Sequence, residues 1–256
     1  TELTKALAAF LFNDDTALLM DGDSLRVLAD VSRQNWGAIE PAIFGTLFER
    51  GLNPDKRSQQ GAHYTSKDDI LLVVEPVLMA PLRREWAAVR AAVEQLAAQL
   101  AQIDREDLTD KRPASLRSRR ERRARLQGQI SEQLAAFRQR LASVHALDPA
   151  CGSGNFLYVS LRLLLDLEKA VSAFEAAAGG TFAFPTVNTG QLHGIEVDPY
   201  AQELAQATIW IGYLQWWLDN GYGLPPEPIL KPLDAIQRMD AVLAYDAAGR
   251  PVEPAW

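Results

Sequence analysis

An open α/β sheet, preceded by helices and a long helical hairpin, is the fold class this 256-residue sequence predicts. Three observations carry that prediction. From Val144 onward, short apolar strands alternate with long apolar helices, the pattern of parallel strands joined by crossover helices. A glycine-rich turn, DPACGSGNFL at 148–157, joins the first strand to its helix. Upstream, residues 83–143 carry two apolar stripes at helical spacing, separated by a polar break.

Residues 1–60 read as an N-terminal helical segment. Within it WGAIEPAIFGTLFER, Trp36 to Arg50, has apolar residues at helical spacing. Pro41 opens that helix, and Gly51, Asn53 and Pro54 close it. Residues 52–62 are polar and loop-like. Segment 61–82 begins with GAHYTS, where Thr65 or Ser66 can cap a helix from about Lys67. Pro76 should bend or divide that helix, because it lacks an N–H and collides with the preceding turn.

In the hairpin, Trp86, Val89, Val93, Leu96, Leu100 and Ile103 form the first stripe. Leu126, Ile130, Leu134, Phe137, Leu141 and Val144 form the second, after the polar stretch DREDLTDKRPAS with its Pro113. Two such stripes predict antiparallel arms, each on the order of 30 Å long. Segment 144–256 holds the sheet. Strand one is predicted at 144–147 and its helix from Asn155 to Ala178, stopped by Gly179 and Gly180. Strand two is QLHGIEV, 191–197. The next helix has Asp198 as N-cap and Pro199 at its first position, and it ends before Gly221. Strand three falls within Ala235 to Met239, and the tail AAGRPVEPAW is expected to be poorly ordered.

Composition fits a soluble protein: 48% hydrophobic and 23% charged residues. The apolar run Ile209 to Leu218 is far shorter than the roughly 20 residues of a membrane span, so no membrane partner is expected. A single cysteine, Cys151, excludes an internal disulfide and fits a reducing cytoplasm. No secretion signal is expected at the start. The net charge of −7 does not suggest a nucleic-acid binder, but its distribution does. Residues 111–140 hold ten basic residues against two acidic ones, so that segment is +8 and the remainder −15. Arg117, Arg119, Arg120, Arg122 and Arg123 either solvate the outer face of the second arm or meet DNA phosphate.

The chemistry gathers on the rim of the sheet. Gly152 and Gly154 let a ligand approach bare backbone at the end of strand one. Asn155 and Phe156 open the helix, whose first amides can meet an anion or an adenosine. Three acidic residues end three successive strands: Asp148, Glu196 and Asp240. Asp148 can meet an ammonium group, unless it only caps the glycine turn. Glu196 can accept from two ribose hydroxyls. Asp240 can accept from an exocyclic amine, or be an ordinary loop residue. Asp198 reads as a helix cap, Cys151 as a small residue in a tight loop, and His63 as structural.

These strings resemble the motifs of the γ-type adenine-N6 DNA methyltransferases. GAHYTS resembles motif X, DPACGSGNFL motif I, GIEVDPYA motif II and the DAV of 240–242 motif III. The order, with motif X before motif I, is the γ order. The segment before motif X, the long insert before motif I and ATIWIGYLQWW after motif II resemble the MmeI-like single-polypeptide restriction-modification enzymes. The resemblance spans about residues 30–245. It implies a Rossmann-like fold that binds S-adenosylmethionine (SAM), with the N-terminal half of the sheet present. It also implies methyl transfer to adenine N6 in double-stranded DNA, in a restriction-modification or phage-defence system. By the same resemblance, Tyr64, Thr65 and Ser66 meet the methionine carboxylate, and Ala150, Cys151, Gly152 and Gly154 line methionine and ribose. Glu196 holds the ribose, with Ile195 and Val197 flanking it. Asp240 holds the adenine amino group, with Ala241 beside it. The family's Asn-Pro-Pro-aromatic tetrapeptide, which grips the flipped base, does not occur in this sequence. The chain is therefore expected to be a SAM-binding fragment that is inactive alone. No metal site and no target-recognition domain are expected, and oligomeric state is not legible.

Overall fold

In a computed structural model the chain is a mixed α/β protein, mostly helical with small sheets. The structure describes residues 19–33, 39–43, 45, 65–110, 112–180, 183–223, 233–246 and 249–254. The helix expected over Trp36–Arg50 and the loop at 52–62 lie largely outside them. The first described helix, α1 (Gly22–Ser32), has no buried residue. The chain divides into two compact units.

One unit holds most of the three-stranded sheet, ordered β1 (Ala146–Asp148), β2 (Leu192–Glu196), β3 (Ile236–Arg238). Strands β2 and β3 are parallel, with Gly194 opposite Ile236 and Glu196 opposite Arg238. Helix α5 (Asn155–Ala177) follows β1, and helix α6 (Pro199–Asp219) joins β2 to β3. Asp198 caps α6 as the sequence predicts, its Oδ1 accepting from the Tyr200 and Ala201 amides at 2.9 and 3.0 Å. Helix α6 buries Ala205, Ile209, Trp210, Tyr213, Leu214, Trp216 and Trp217. Two glutamines tie it to the neighbouring chain. Gln202 Nε2 donates to the Ile236 carbonyl at 2.7 Å, and Gln206 Oε1 accepts from the Leu233 amide at 2.9 Å. These bonds fix β3 where the side chains around it give little hydrophobic signal. Gly212 in mid-helix has a packing reason: a Cβ there would overlap the Tyr158 ring, itself 1% exposed.

The tail corrects an expectation. Within the segment expected to be poorly ordered, β5 (Pro251–Val252) pairs antiparallel with β4 (Ala244–Tyr245), which precedes it. Asp246 closes that hairpin, its Oδ1 accepting from the Arg250 amide at 3.0 Å and its Oδ2 pairing with the Arg250 guanidinium at 2.7 Å. A single well-placed carboxylate supplies order that hydrophobic patterning does not reveal.

The second unit is built on the hairpin. Helix α2 (Lys67–Val74) runs into a π-helical turn at Glu75–Met79, then into α3 (Ala80–Thr109). Pro76 lies in that turn; widening the ring accommodates a residue with no N–H to give. Helix α4 (Pro113–Ala142) returns along α3. Ion pairs Arg123–Asp104, Arg119–Asp107 and Arg140–Glu85 ascend one helix while descending the other, which makes the arms antiparallel. Each arm has 30 residues, about 45 Å by the helical rise, longer than expected. The reason is that the polar stretch is itself helical: Pro113 sits at the first turn of α4, and aspartates within the stretch pair with arginines across the tip. Trp86 stacks on Phe137 at 5.3 Å and meets Phe174 of α5 edge-on at 5.5 Å. Arg90 lies over the Phe174 ring, its Cζ 5.5 Å from the centroid.

Strand β1 begins two residues later than predicted. Gln191, 3% exposed, donates through Nε2 to the carbonyls of Leu141 and Val144, both at 2.8 Å. That bridge holds Val144 in the turn leaving α4, so the apolar residue is buried without being in the strand. Asp148 consequently becomes the last residue of β1 rather than the first beyond it.

Candidate cofactor site

The glycine-rich turn crosses the carboxyl end of β2. The Cys151 amide donates to the Ile195 carbonyl at 3.0 Å, and the Gly152 amide to Glu196 Oε2 at 2.9 Å. The turn closes when the Gly154 amide donates to the Cys151 carbonyl at 2.8 Å. Gly154 then accepts from the Tyr158 amide at 2.8 Å, which starts α5. Gly152 and Gly154 have φ of +53° and +81°, in the left-handed region that favours glycine. Gly154 has a second constraint: a Cβ there would lie 3.0 Å from the Ala205 Cα and 3.1 Å from its carbonyl oxygen. The turn thus lies directly on the backbone of α6. Cys151 is buried over β2, where a Cβ on Gly194 would come within 2.8 Å of its Sγ.

Two carboxyl groups serve this turn. Asp148 Oδ1 accepts from the Ala150 amide at 3.1 Å. Glu196 bridges the turn and the next helix, its Oε1 accepting from the Asp198 amide at 2.8 Å. Burial pushes the Asp148 carboxyl above its ordinary range; the Ala150 amide opposes this and the nearby Glu196 charge adds to it. Burial, with both carboxylates beside it, pushes the Cys151 thiol up to about 12. At neutral pH that thiol is protonated, so Cys151 has no nucleophilic role. A cation beside Asp148 would favour its charged form against the burial that disfavours it and against the nearby Glu196 charge.

Around the turn, Ala150 is exposed, Phe156 half-buried and Asn155 buried at 7%. Asn155 Oδ1 has no hydrogen-bond partner among the described residues. Gly45, from the N-terminal segment, packs so closely against Ser153 that a Cβ would overlap its hydroxyl; the Asn155 amide nitrogen would be 3.0 Å away. Of the two apolar residues flanking Glu196, Ile195 is 2% exposed and Val197 61% exposed. Only Val197 presents its side chain at the rim. Asp240 is exposed, and its Oδ1 accepts from the Val242 and Leu243 amides at 2.8 and 3.1 Å. It builds the turn after β3, with Ala241 half-buried beside it.

Motif X is only partly in view. Tyr64 and His63 lie outside the described residues. Thr65 is half-buried. Ser66 is the cap of α2: its Oγ accepts from the Asp69 amide at 3.2 Å and donates to Asp69 Oδ2 at 2.7 Å.

The five candidate arginines separate into two sets. Arg119, 8% exposed, pairs with Asp107 at 2.5 Å and donates to the Asp110 carbonyl. Arg123 pairs with Asp104 at 2.6 Å and Asp107 at 2.8 Å. These arginines hold the Asp107 carboxyl below its ordinary range, and Arg112 holds that of Asp110 well below it. Arg117, Arg120 and Arg122 are exposed, with Arg117 paired to Glu121 at 3.3 Å. Among the described residues no group of side chains could hold a metal ion, and no helix is long and apolar enough to cross a membrane.

Sequence reasoning missed the buried Glu168 of α5, 1% exposed. It accepts from the amides of Thr186 and Val187 at 2.8 and 2.9 Å and from the Thr186 hydroxyl at 2.5 Å. In this way it shapes the loop leading to β2. Its only sequence signal was an acidic residue on the apolar side of a helix. The Gly45 contact had no signal at all.

Comparison with known proteins addresses the family directly. Residues 124–221 match the family described as MmeI, DNA-methyltransferase domain. The chain is 26% identical over 178 residues to DNA methyltransferase A of Bacillus subtilis (strain 168), which covers 69% of this chain and 16% of that protein. Its fold is similar to that of the Type IIL restriction-modification enzyme MmeI, solved in complex with DNA. That match has a TM-score of 0.63 and 25% identity, over 86% of this chain and 25% of the enzyme. The chain therefore spans less than a fifth of the curated relative's length. Family model, relative and fold are each similar to this chain over part of its length, and all three are MmeI or DNA-methyltransferase proteins, in agreement with the motifs.

Proposed function

We propose that this chain is the SAM-binding part of a site-specific DNA methyltransferase that transfers a methyl group to adenine N6 within a restriction-modification or phage-defence system. On this reading residues 144–256 are a Rossmann-like SAM-binding subdomain, 61–82 the motif X segment, and 83–143 an inserted hairpin. Residues 1–60 lead into them. The supporting observation is the pairing of Asp148 and Glu196 around a turn pressed onto α6. Burial raises the Asp148 carboxyl, and a cationic ligand would bring it back down. SAM carries an ammonium group and a sulfonium, and when bound it supplies a methyl group on that sulfonium.

The chain's own residues then bind and orient. Asp148 faces the ammonium. Glu196, already fixed by two amides, offers its remaining lone pairs to ribose hydroxyls. Val197 offers an apolar surface to the adenine ring, and Asp240 a carboxylate to its amino group. Asn155, with a buried oxygen that no described residue satisfies, has hydrogen-bonding capacity for a ligand. Tyr64, Thr65 and Ser66 are assigned to the methionine carboxylate through motif X. The adenine-gripping tetrapeptide is not among these residues, so the purified chain is expected to bind SAM and transfer no methyl.

Calorimetric titration with SAM tests this reading, alongside Glu196→Ala. Binding by the parent and its loss in a variant that still melts cooperatively is the expected result. Affinity should rise with pH through the raised Asp148 range and level off above it, because binding favours the ionised carboxylate. Absence of SAM binding by a folded parent chain would overturn the proposal.

A further inference from the structure

The outward side of α4 is richer in arginine than that of α3. On α3, Arg90 pairs with Glu94 at 2.9 Å, and Arg84 and Arg105 are exposed. On α4, Arg120, Arg122 and Arg125 are exposed and make no ion pair or hydrogen bond with any described residue. The aspartates near the tip are already engaged: Asp104 and Asp107 with Arg123 and Arg119, Asp110 with Arg112 and Arg119. Their negative charge is held between or at the end of the helices; on the outward side Glu121 pairs with Arg117, and the other arginines outnumber it. Arg122 and Arg125 stand three residues apart, a like-charged arrangement that disfavours the helix. A bare solvated face has no need of that arrangement; an external polyanion removes its cost.

The geometry suits a phosphate backbone. At about 100° per residue, Arg117 and Arg125 lie within about 45° of the direction opposite the buried stripe, and Arg120 and Arg122 stand on its two flanks, about 100° away on opposite sides. Glu121 stands at the centre of that side, paired with Arg117 at 3.3 Å, and Ser118, Ala124 and Gly128 around it are small. A Cβ on Gly128 would meet nothing within 4 Å. Arg120 to Arg125 spans about 7.5 Å of helix axis, so the guanidiniums on the two flanks can reach phosphates on either side of the helix. The hairpin behind is stiff, held by Trp86 on Phe137 and by the Arg119 and Arg123 ion pairs.

We infer that the outward face of α4 is a contact surface for the phosphates of duplex DNA, carried by Arg120, Arg122 and Arg125, while Arg119 and Arg123 hold the hairpin itself. This rests on the reading of the protein as a DNA methyltransferase. The contact is to backbone and carries no sequence information. Its role is to hold the duplex against an otherwise acidic protein.

The test is fluorescence anisotropy of a labelled 30-base-pair duplex with the 256-residue chain, titrated across salt, for the parent and for R120Q/R122Q/R125Q. Each phosphate contact contributes about 0.9 to the slope of log affinity against log salt, so the variant's slope should be shallower by about 2 to 3. Between 50 and 200 mM salt the parent should then lose on the order of 10- to 40-fold more affinity than the variant. Melting temperature should be unchanged in the triple variant. R123Q is the converse control: it should melt lower and keep the parent slope. Equal slopes for parent and triple variant would overturn the inference. So would equally tight, equally salt-dependent binding of poly-glutamate of matched charge. A parent chain that binds SAM but no duplex would overturn it too, leaving the cofactor reading in place. Arginine-dependent duplex binding without SAM binding would sustain this inference and remove the other.

Discussion

Gly152 and Gly154 lie two residues apart in the same turn, both with positive φ, yet the structure predicts unequal consequences for replacing them with alanine. At Gly152 a Cβ meets nothing within 4 Å. Gly152→Ala therefore bears only the left-handed penalty, about 1–2 kcal/mol, partly offset by reduced freedom in the unfolded chain. At Gly154 the same penalty applies at φ +81°, and the new Cβ lies 3.0–3.1 Å from three atoms of Ala205. Two of those atoms are backbone in the interior of α6, so the collision cannot be relieved by a rotamer change. Overpacking of that kind adds about 1–3 kcal/mol, for a total of about 2–5 kcal/mol. Urea or thermal unfolding measures the difference. For a chain of this size about 2–4 °C accompanies each kcal/mol, so Gly152→Ala should melt only a few degrees below the parent and Gly154→Ala roughly twice as far or more. SAM titration adds a second readout, with Gly154→Ala the more damaging because the turn must move off α6. Equal losses of stability, or a larger loss at Gly152, would refute the claim that the turn is set by contact with α6 rather than by its backbone angles alone.

Glu168→Ala should destabilise the protein by about 1–3 kcal/mol, because it leaves the buried Val187 amide without an acceptor and takes away the acceptor of the Thr186 amide and hydroxyl. Denaturant unfolding checks this, and a loss under 1 kcal/mol would show that the loop finds other partners. Asp148→Asn should raise the stability of the ligand-free chain at neutral pH while weakening SAM binding. The sign follows from the raised carboxyl. Its contribution is fully present below the ordinary aspartate value near 4 and is lost as pH rises through the higher folded value. The melting temperature of the variant relative to the parent should therefore increase with pH; a flat or falling difference would show that Asp148 is not strained when ionised.

What could be read in the sequence depended on how local its cause was. The two hairpin stripes, the Asp198 cap and the strand–turn–helix at 148–157 are written in neighbouring residues, so periodicity and capping rules reach them. The bounds of β1 were not legible, because Gln191 sets them from some fifty residues away by holding two carbonyls at the end of α4. The pairing of β5 with β4 escaped for a related reason. Its pairing depends on one aspartate folding back on Arg250, which composition cannot distinguish from any polar turn. The arginines show the limit most clearly. Arg119, Arg120, Arg122 and Arg123 are indistinguishable by composition, and the tip they occupy looks like one basic patch. Packing against α3 separates them: those on the buried side meet Asp104, Asp107 and Asp110, and those on the other side meet none of these. A charge run therefore acquires meaning only once its helical phase is fixed. At the rim of the sheet the same reasoning runs in the other direction. Glu196 was singled out as an acid closing an apolar strand, and the structure has it bridging the turn and the α6 cap through two amides. Its carboxylate is thereby oriented before any ligand arrives. A ribose binding there would meet a group whose rotational entropy has already been lost on folding, which is how a rigid turn can favour a small polar ligand.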